Sequence, residues 1–278
     1  MLKKVIFVAI FIIVSFITLY FPLSAKHKNA LMNVEDYVIY YGHVNDKLVK
    51  ELSSYDLIII EPHQMTTEQV QTIKDSGTIV LGYISMMELA TWNEDFVTKV
   101  QQDDYLIINN ERVYVEDWDT YLMDISKPHY QQLLIDEIHI EIIQKNLDGI
   151  FIDTIGDIDD FFYDQPHIAN KLRDSYVELL NTVNEQHSDL LLLQNWGFET
   201  FKEASKDYVD GIMWEDFDKR KLENSSWGQQ WIAFFKDIKK NEKVAVFTVA
   251  PDNKGVKYSK QQQFVPFKNE SSIYDEMN

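Results

Sequence analysis

The feature that most constrains the fold of this chain is a series of eight short runs rich in apolar, β-branched and aromatic residues. They occupy residues 37–41, 57–60, 78–84, 149–153, 190–195, 211–215, 244–249 and 264–267. Most are almost continuously apolar, as expected of parallel strands that are buried on both faces. Helical patterns lie between several of them, at residues 67–74, 127–145, 168–185 and 229–240. The alternation predicts an α/β protein, a single (β/α)8 barrel of the TIM type.

The longest interval between two runs separates the third from the fourth, over about residues 85–126. It contains short β-patterned stretches, for example at residues 105–108 and 112–115. We therefore expect an elaborated loop with short strands of its own, inserted into an otherwise regular barrel.

The first residues have the pattern of a membrane-targeting segment. Lys3 and Lys4 precede a mostly apolar run over residues 5–23. Its length approaches what is needed to cross the roughly 30 Å hydrocarbon core of a bilayer, whereas the apolar part of a cleaved signal peptide has about 7–15 residues. The run predicts an uncleaved anchor, which its length favours, or a signal peptide. In both cases the rest of the chain is expected outside the cytoplasm, membrane-anchored at the cell surface or secreted.

This interpretation divides the chain into three parts. They are an anchor or signal peptide at residues 1–25, a linker at 26–36 and one barrel domain at 37–278. No second linker or low-complexity stretch follows, so one domain is the economical prediction. Contact with a membrane is expected through the first segment, and the oligomeric state stays open.

The charge balance limits the partners. The chain has 26 Lys and Arg against 45 Asp and Glu, a net charge of −19. Such a surface repels the phosphates of nucleic acids and suits a cationic or neutral ligand, although it equally serves solubility. There are no cysteines, which excludes disulfides, zinc–thiolate sites and thiol nucleophiles.

Polar and aromatic residues follow the apolar runs, at the strand ends where barrel active sites lie. The candidates are Tyr41, Glu61, Tyr83, Glu88, Asp124, Asp153, Asn195, Trp196, Trp214, Glu215 and Asp216. Burying a carboxylate costs several kcal/mol unless it is paired or hydrogen-bonded. An acid-rich rim of this kind is therefore hard to explain by packing and predicts a functional site.

Asp153 and Glu215 are the strongest candidates, because each directly ends an apolar run. Glycoside hydrolysis requires two carboxyl groups that flank the scissile bond. The fourth and sixth strands are separated by one strand, so their ends can face each other across the barrel mouth. The remaining acids can each be a cap or turn residue instead, and the aromatic candidates can stack on a sugar ring or fill the core.

Two groups of residues raise the question of a metal. Asp157, Asp159 and Asp160 follow the fourth run but lack the spacing of a calcium-binding loop, and we expect them to be solvated. His43 and His63 follow the first two runs, as metal ligands do in some hydrolase barrels, so a metal-dependent hydrolase is an alternative. No His-x-His pair accompanies them, and we expect neither a metal nor a cofactor. Serine-hydrolase, P-loop and dinucleotide-binding motifs are absent.

Five segments together resemble one family of carbohydrate-active barrels. They read LGYISMMEL, LDGIFIDTIGD, LLLQNWGFE, VDGIMWEDF and QFVPFKN. The resemblance is to glycoside hydrolase family 114, the endo-α-1,4-polygalactosaminidases, which are related to hydrolases of Pel-type exopolysaccharide systems. It extends over nearly all of residues 37–267. Its most specific piece is the LDGIFID segment that ends at Asp153.

The resemblance implies a function. It makes Asp153 the nucleophile and Glu215 the acid/base of a retaining hydrolase. The implied substrate is an α-1,4-linked galactosamine or N-acetylgalactosamine exopolysaccharide of the kind found in biofilms. We then expect Glu215 to have the higher pKa of the pair, because an acid must be protonated before it donates.

The chain departs from the family pattern at two places. Met86-Met87-Glu88 stands where a Gly-Glu is usual, and Gln194-Asn195-Trp196 replaces Asn-Asn-Gly. A catalytically inactive barrel that binds exopolysaccharide is the alternative of a different class. The presence of both Asp153 and Glu215 favours the enzyme.

Overall fold

The computed structural model describes residues 29–271 and 273–276. In chain order the strands are β1 (Tyr37–Tyr40), β2 (Leu57–Ile60), β3 (Ile79–Ser85), β4 (Glu88–Ala90), β5 (Ile107–Ile108), β6 (Glu111–Arg112), β7 (Tyr114–Val115), β8 (Thr120–Leu122), β9 (Gly149–Asp153), β10 (Leu191–Asn195), β11 (Gly211–Trp214), β12 (Ala245–Ala250) and β13 (Val265–Lys268). Eight of them form one parallel sheet in the order β1-β2-β3-β9-β10-β11-β12-β13. The ends of these eight strands lie within one residue of the predicted runs, so the predicted α/β architecture is confirmed.

Helices fill the connections between these strands. The α-helices are α1 (Asp46–Leu52), α2 (Thr67–Lys74), α3 (Glu94–Val97), α4 (Pro128–Glu137), α5 (Asp157–Phe161), α6 (Pro166–Gln186), α7 (Phe198–Thr200), α8 (Lys219–Leu222), α9 (Ser226–Asn241) and α10 (Asn253–Gln261). Two π-helical segments, Ile138–Ile143 and Phe201–Ser205, continue α4 and α7. Short 3-10 turns lie at Ala30–Asn33, Pro62–Gln64 and Gln102–Asp104.

Local sequence explains where these helices begin and which face they bury. A capping box between Thr66 and Gln69 starts α2. Helix α6 buries Leu172, Tyr176 and Leu179, which recur at helical spacing and form one apolar stripe toward the sheet.

The pleat of the sheet separates two cores. Inward-facing side chains form one cluster inside the barrel, and it includes Ile39, Ile59, Leu81, Phe151, Leu193, Met213, Phe247 and Val265. Their neighbours on each strand point outward into a second cluster under the helices. Because side chains alternate along a strand, the next inward position lies two residues further on, at the barrel mouth.

The barrel is nearly closed. Hydrogen-bonded ladders join each pair of neighbours from β1 round to β13, and among the described residues no ladder pairs β1 with β13. Other contacts cross this seam. The Tyr37 hydroxyl donates to the Thr248 carbonyl at 2.9 Å, and its ring packs against Phe267. The backbone N–H of Tyr41 donates to the Tyr274 carbonyl at 2.6 Å.

The insertion between β3 and β9 has its own strands, as predicted. It contains an antiparallel sheet in the order β4-β8-β7 and a hairpin of β5 and β6. The backbone N–H groups of Met86 and Met87 both donate to the Thr154 hydroxyl, which directly follows β9. These bonds hold the base of the insertion against the barrel mouth.

The proposed anchor at residues 1–25 lies outside the described residues. Within the part of the chain that the structure describes, no helix is both long and apolar enough to span a membrane. Residues 29–36, which fall in the predicted linker, pack at the base of the barrel. Leu31 and Val34 are buried in the interior cluster, and the Asn29 side chain donates to the Asp210 and Lys243 carbonyls.

Candidate active site

The strand pleat places six of the predicted residues at the inner rim of the mouth. Each lies two positions beyond an inward apolar residue of its strand, and they are Tyr41, Glu61, Tyr83, Asp153, Asn195 and Glu215. The same rule points Trp214 away from the mouth. The side-chain contacts below agree with this division.

Asn195 joins the two carboxylates that the sequence singled out. Strand β10 lies between β9 and β11, and the Nδ2 of Asn195 donates to Asp153 Oδ1 and to Glu215 Oε1, at 2.8 Å each. Only 4% of Asn195 is exposed, so the amide is held in place by its surroundings. The two accepting oxygens therefore cannot lie farther apart than twice this hydrogen-bond distance.

Glu215 is held at both of its oxygens. Its Oε2 accepts a hydrogen bond of 2.8 Å from the hydroxyl of Tyr274, while Oε1 faces Asn195. Burial, and secondly the charge of Asp153, raise the pKa of Glu215 to about 7, and the two hydrogen bonds oppose that rise. A substantial fraction of this carboxyl group is therefore protonated near neutral pH.

Tyrosine rings line the space beside the pair. Tyr83 lies beside Asp153, and burial, followed by the charge of that carboxylate, raises the pKa of the Tyr83 hydroxyl. The ring of Tyr41 lies 5.3 Å from that of Tyr83 and 5.4 Å from that of Tyr274. The wall is apolar on its ring faces and carries phenolic donors toward the carboxylates.

Tyr274 was missed in the sequence. It follows β13, the eighth strand of the barrel, in a short segment without a helical or strand pattern. Only its position could have indicated a role at the site, because residues that follow β13 also lie at the mouth, where the strand ends converge.

A second carboxyl pair lies next to the first. Asp157 on α5 hydrogen-bonds to Glu88 on β4, and Glu88 also accepts a hydrogen bond from the Thr120 hydroxyl. Burial, and then the charges of Glu88 and Asp153, raise the pKa of Asp157 well above its usual range. The pair therefore shares one proton.

The prediction that the acidic cluster after β9 is solvated was wrong for two of its members. Asp157 is partly buried in the pair just described. Asp159 is also partly buried, where it pairs with Arg173 at 2.8 Å and accepts from the Thr200 hydroxyl at 2.7 Å. Asp160 is exposed, as predicted. The difference arises because α5 turns these side chains toward the insertion and toward α6 and α7.

Trp214 lies in the core rather than at the mouth. It is 1% exposed, and its ring meets Phe198 and Phe217 edge to face at 5.1 Å each. It therefore has no face open to a sugar, contrary to expectation, because it has the outward register on β11. Trp196 is half-buried and stacks on Phe198 at 4.8 Å. There the backbone turns sharply through left-handed conformations at Trp196 and Gly197.

The other predicted acids have local partners. Asp124 accepts from the backbone N–H and the hydroxyl of Ser126, as a turn residue does. Asp216 is largely exposed and pairs with Lys221, although its charge contributes to the raised pKa of Glu215.

Glu61 caps a 3-10 turn and pairs with His63 at 2.7 Å. Hydrogen bonds to Glu137 and Glu61 raise the pKa of His63 to about 10, so the ring is a cation held by carboxylates. His43 is exposed, and both histidines line an open cleft of about 670 Å³. No group of three or more His, Cys, Asp or Glu side chains able to hold a metal occurs in the described ranges.

Comparison with protein families places this site in context. Residues 82–269, more than half of the chain, match the model of hypothetical glycosyl hydrolase family 15. The chain belongs to this family. The predicted identity as a glycoside hydrolase is confirmed. A search of curated proteins finds no match.

Solved structures show the same fold. The glycoside hydrolase domain of PelA from Pseudomonas aeruginosa superimposes with a TM-score of 0.70 at 17% identity, over 88% of this chain and 97% of that chain. Ega3 from Aspergillus fumigatus, solved in complex with galactosamine, gives a TM-score of 0.62 at 13% identity, over 86% and 93%. The sequence indicated a resemblance to polygalactosaminidase-type barrels, and these structures confirm it at the level of the fold.

Proposed function

We propose that this protein is an endo-acting, retaining glycoside hydrolase that works outside the cytoplasm on an α-1,4-linked galactosamine or N-acetylgalactosamine polymer. The observation that carries the proposal is the bridged pair, in which one amide nitrogen of Asn195 binds Asp153 and Glu215 at 2.8 Å each. Retaining enzymes have carboxyl groups about 5–5.5 Å apart, and inverting enzymes about 6.5–9.5 Å. A shared donor supports the shorter separation.

The roles follow from the surroundings of the two carboxylates. In the first step Asp153 attacks the anomeric carbon, while protonated Glu215 donates its proton to the departing glycosidic oxygen. A covalent glycosyl–Asp153 ester results. In the second step ionised Glu215 takes a proton from water, which attacks the same carbon and releases Asp153. The raised pKa of Glu215, about 7, supports its use in both protonation states.

Charge supports an amino-sugar substrate. A partly deacetylated galactosamine polymer is cationic, and the mouth contains two carboxyl pairs within a chain of net charge −19. Ega3, whose fold this chain shares, was solved with galactosamine bound. The endo mode of cleavage and the α-1,4 linkage rest on the sequence resemblance.

Substrate contacts are proposed for the residues that line the mouth. Tyr41 and Tyr83 offer ring faces and phenolic donors, Trp196 a half-buried ring, and Glu88 a carboxylate beside the nucleophile. We exclude Trp214 from this set because it is buried. Glu61, Asp124 and Asp216 remain candidates for outer contacts only, since their carboxylates already have partners.

Product analysis tests the function directly. Galactosaminan of high and of low acetylation is digested beside glucosaminan, and the products are sized by mass spectrometry. We expect oligosaccharides of mixed length from galactosaminan alone, and proton NMR should show the α-anomer forming first. Failure to release product from any polymer, with binding retained, would point to the inactive binding barrel. A β-anomer formed first would contradict retention.

The location outside the cytoplasm is a separate proposal. It goes together with the division into an anchor or signal peptide at residues 1–25, a linker at 26–36, of which Leu31 and Val34 pack into the barrel, and a domain at 37–278. We expect the full chain to fractionate with membranes and to be accessible to external protease. A chain that starts at residue 29 should stay soluble, because it retains the buried Leu31. Cytoplasmic retention of the full chain would overturn the proposal.

A further inference from the structure

The segment that follows β13 crosses the seam of the barrel and reaches the catalytic pair. Asn269 begins it, and its Nδ2 donates to the Ile273 carbonyl at 2.8 Å while its Oδ1 accepts from the Ser271 N–H at 2.9 Å. Tyr274 follows Ile273, and its backbone carbonyl accepts a hydrogen bond from the Tyr41 N–H. The segment is therefore fixed at a turn and again against the end of β1.

These attachments bring one phenol to the acid/base. The Tyr274 hydroxyl donates to Glu215 Oε2 at 2.8 Å. Its ring lies 5.4 Å from Tyr41 and 6.5 Å from Phe267, so aromatic contacts on two sides set its direction. Asn195 occupies the other oxygen of Glu215.

We propose that Tyr274 is a positioning residue for Glu215, completing the active site from outside the eight strands. This inference rests on the proposed role of Glu215 as the acid/base. With one oxygen on Asn195 and the other on Tyr274, the carboxyl plane is fixed and cannot rotate away from the leaving oxygen. A donor to the ionised form also opposes the effect of burial, which would otherwise raise the pKa of Glu215 further and make it a weaker acid in the first step.

Several other groups lie near Glu215, and four of them, Asp153, Asp216, Asn195 and Tyr274, shift its pKa in a known direction. Asp153 on β9 and Asp216 after β11 favour the protonated form through their charges. Tyr37 and Tyr41, on and directly after β1, are close enough that Glu215 raises the pKa of each hydroxyl. Tyr274 and Asn195 are the donors that favour the ionised form. Removing the Tyr274 hydroxyl should thus raise the pKa of Glu215.

The test compares Tyr274→Phe with Tyr40→Phe. Tyr40 is a matched control, because its hydroxyl donates to the His43 carbonyl and its ring points to the outer core, near Asp275 of the same segment. The Glu215 carboxyl is titrated by carbon NMR in protein labelled at glutamate, and kcat and KM are measured across pH. The NMR titration requires no activity, so it is informative even if the proposed substrate is wrong.

For Tyr274→Phe we expect the pKa of Glu215 and the alkaline limb of kcat/KM to rise by about one pH unit. At the optimum kcat should fall by about tenfold with KM nearly unchanged, because the acid is less well oriented. Tyr40→Phe should leave the pKa of Glu215 unchanged. An unshifted Glu215 titration in a folded Tyr274→Phe protein, checked by its unfolding midpoint, overturns the inference. A shifted titration without hydrolysis of any galactosaminan would instead count against the proposed function alone.

Discussion

Two carboxyl pairs lie side by side at the mouth of this barrel and are built differently. Asp153 and Glu215 are joined through the neutral amide of Asn195, whereas Glu88 and Asp157 are hydrogen-bonded directly to each other. Direct contact forces two carboxyl groups to share one proton. A bridging donor lets one of them stay ionised while the other titrates. The bridged arrangement suits a nucleophile and an acid. The direct contact suits a structural role, in which it attaches the insertion that carries Glu88 to α5.

Removing a carboxylate from the bridged pair should have the largest effect. We expect Asp153→Asn and Glu215→Gln each to lower kcat on galactosaminan by about 10³-fold or more, since one loses the nucleophile and the other the acid. Both should stay folded, as judged by circular dichroism. Asp160→Asn, the same change at an exposed position after β9, is the control. Activity near that of the wild type in either site variant would refute the assignment of the pair.

Removing the Asn195 amide tests the feature that distinguishes the bridged pair from the directly bonded pair. Asn195→Ala leaves both carboxylates in place but removes the donor that fixes their spacing. We expect kcat to fall by about 10²-fold, because a small misplacement of reacting groups is costly. The pKa of Glu215 should rise, because a hydrogen bond to its ionised form is lost. If kcat is unchanged, the spacing does not depend on Asn195.

The titration of Glu215 predicts how the activity of the bridged pair depends on pH. The acid must be protonated, so kcat/KM should fall as pH rises through about 7, the pKa of this group. Above that value the loss should approach about tenfold for each further pH unit. The midpoint of this limb must agree with the carbon NMR titration of Glu215 in the free enzyme. Disagreement between the two would assign the limb to another group, including the amines of the substrate.

The directly bonded pair should affect stability more than rate. The folded-state pKa of Asp157 is raised from 3.8 to about 9, so its protonated form stabilises the fold at low pH, and this contribution is lost as pH rises toward 9. Asp157→Asn keeps a donor to Glu88 and cannot ionise. Its unfolding midpoint should exceed that of the wild type by a few degrees at pH 9 and match it near pH 4. The comparison isolates the pair of Glu88 and Asp157, because Glu215 titrates in both proteins.

For the same variant kcat should change by less than about tenfold, because the pair lies beside the reacting atoms and only its shared charge is altered. A loss as large as that of Asp153→Asn would mean that the second pair belongs to the chemistry.

Much of the fold was readable from the sequence, because parallel strands buried on both faces give nearly continuous apolar runs. The predicted ends of the eight strands and of helix α2 lie within one residue of the observed ends. The placement of Asp153 and Glu215 followed from their position at strand ends. Trp214 was also readable in principle, since it lies one residue from Glu215 and must face the opposite side of the sheet.

Other features could not be read in this way. The sequence marks Glu88 and Asp157 as acids near strand ends but says nothing of their contact, which depends on how the insertion folds back onto α5. Tyr274 lies in a segment without periodicity, and its role depends on a turn at Asn269 and a seam that the strands leave open.

The sequence by itself determined where the eight strands lie along the chain and which end of the barrel carries the acids. It also singled out Asp153 and Glu215 as the two foremost candidates. These depend on local patterns of two and of about 3.6 residues, which every segment carries independently. Only the tertiary structure decided how far apart the carboxylates lie, which of them share a proton and which distant phenol contacts Glu215. Distances, desolvation and proton sharing arise between segments that are remote in sequence, and no local pattern encodes them.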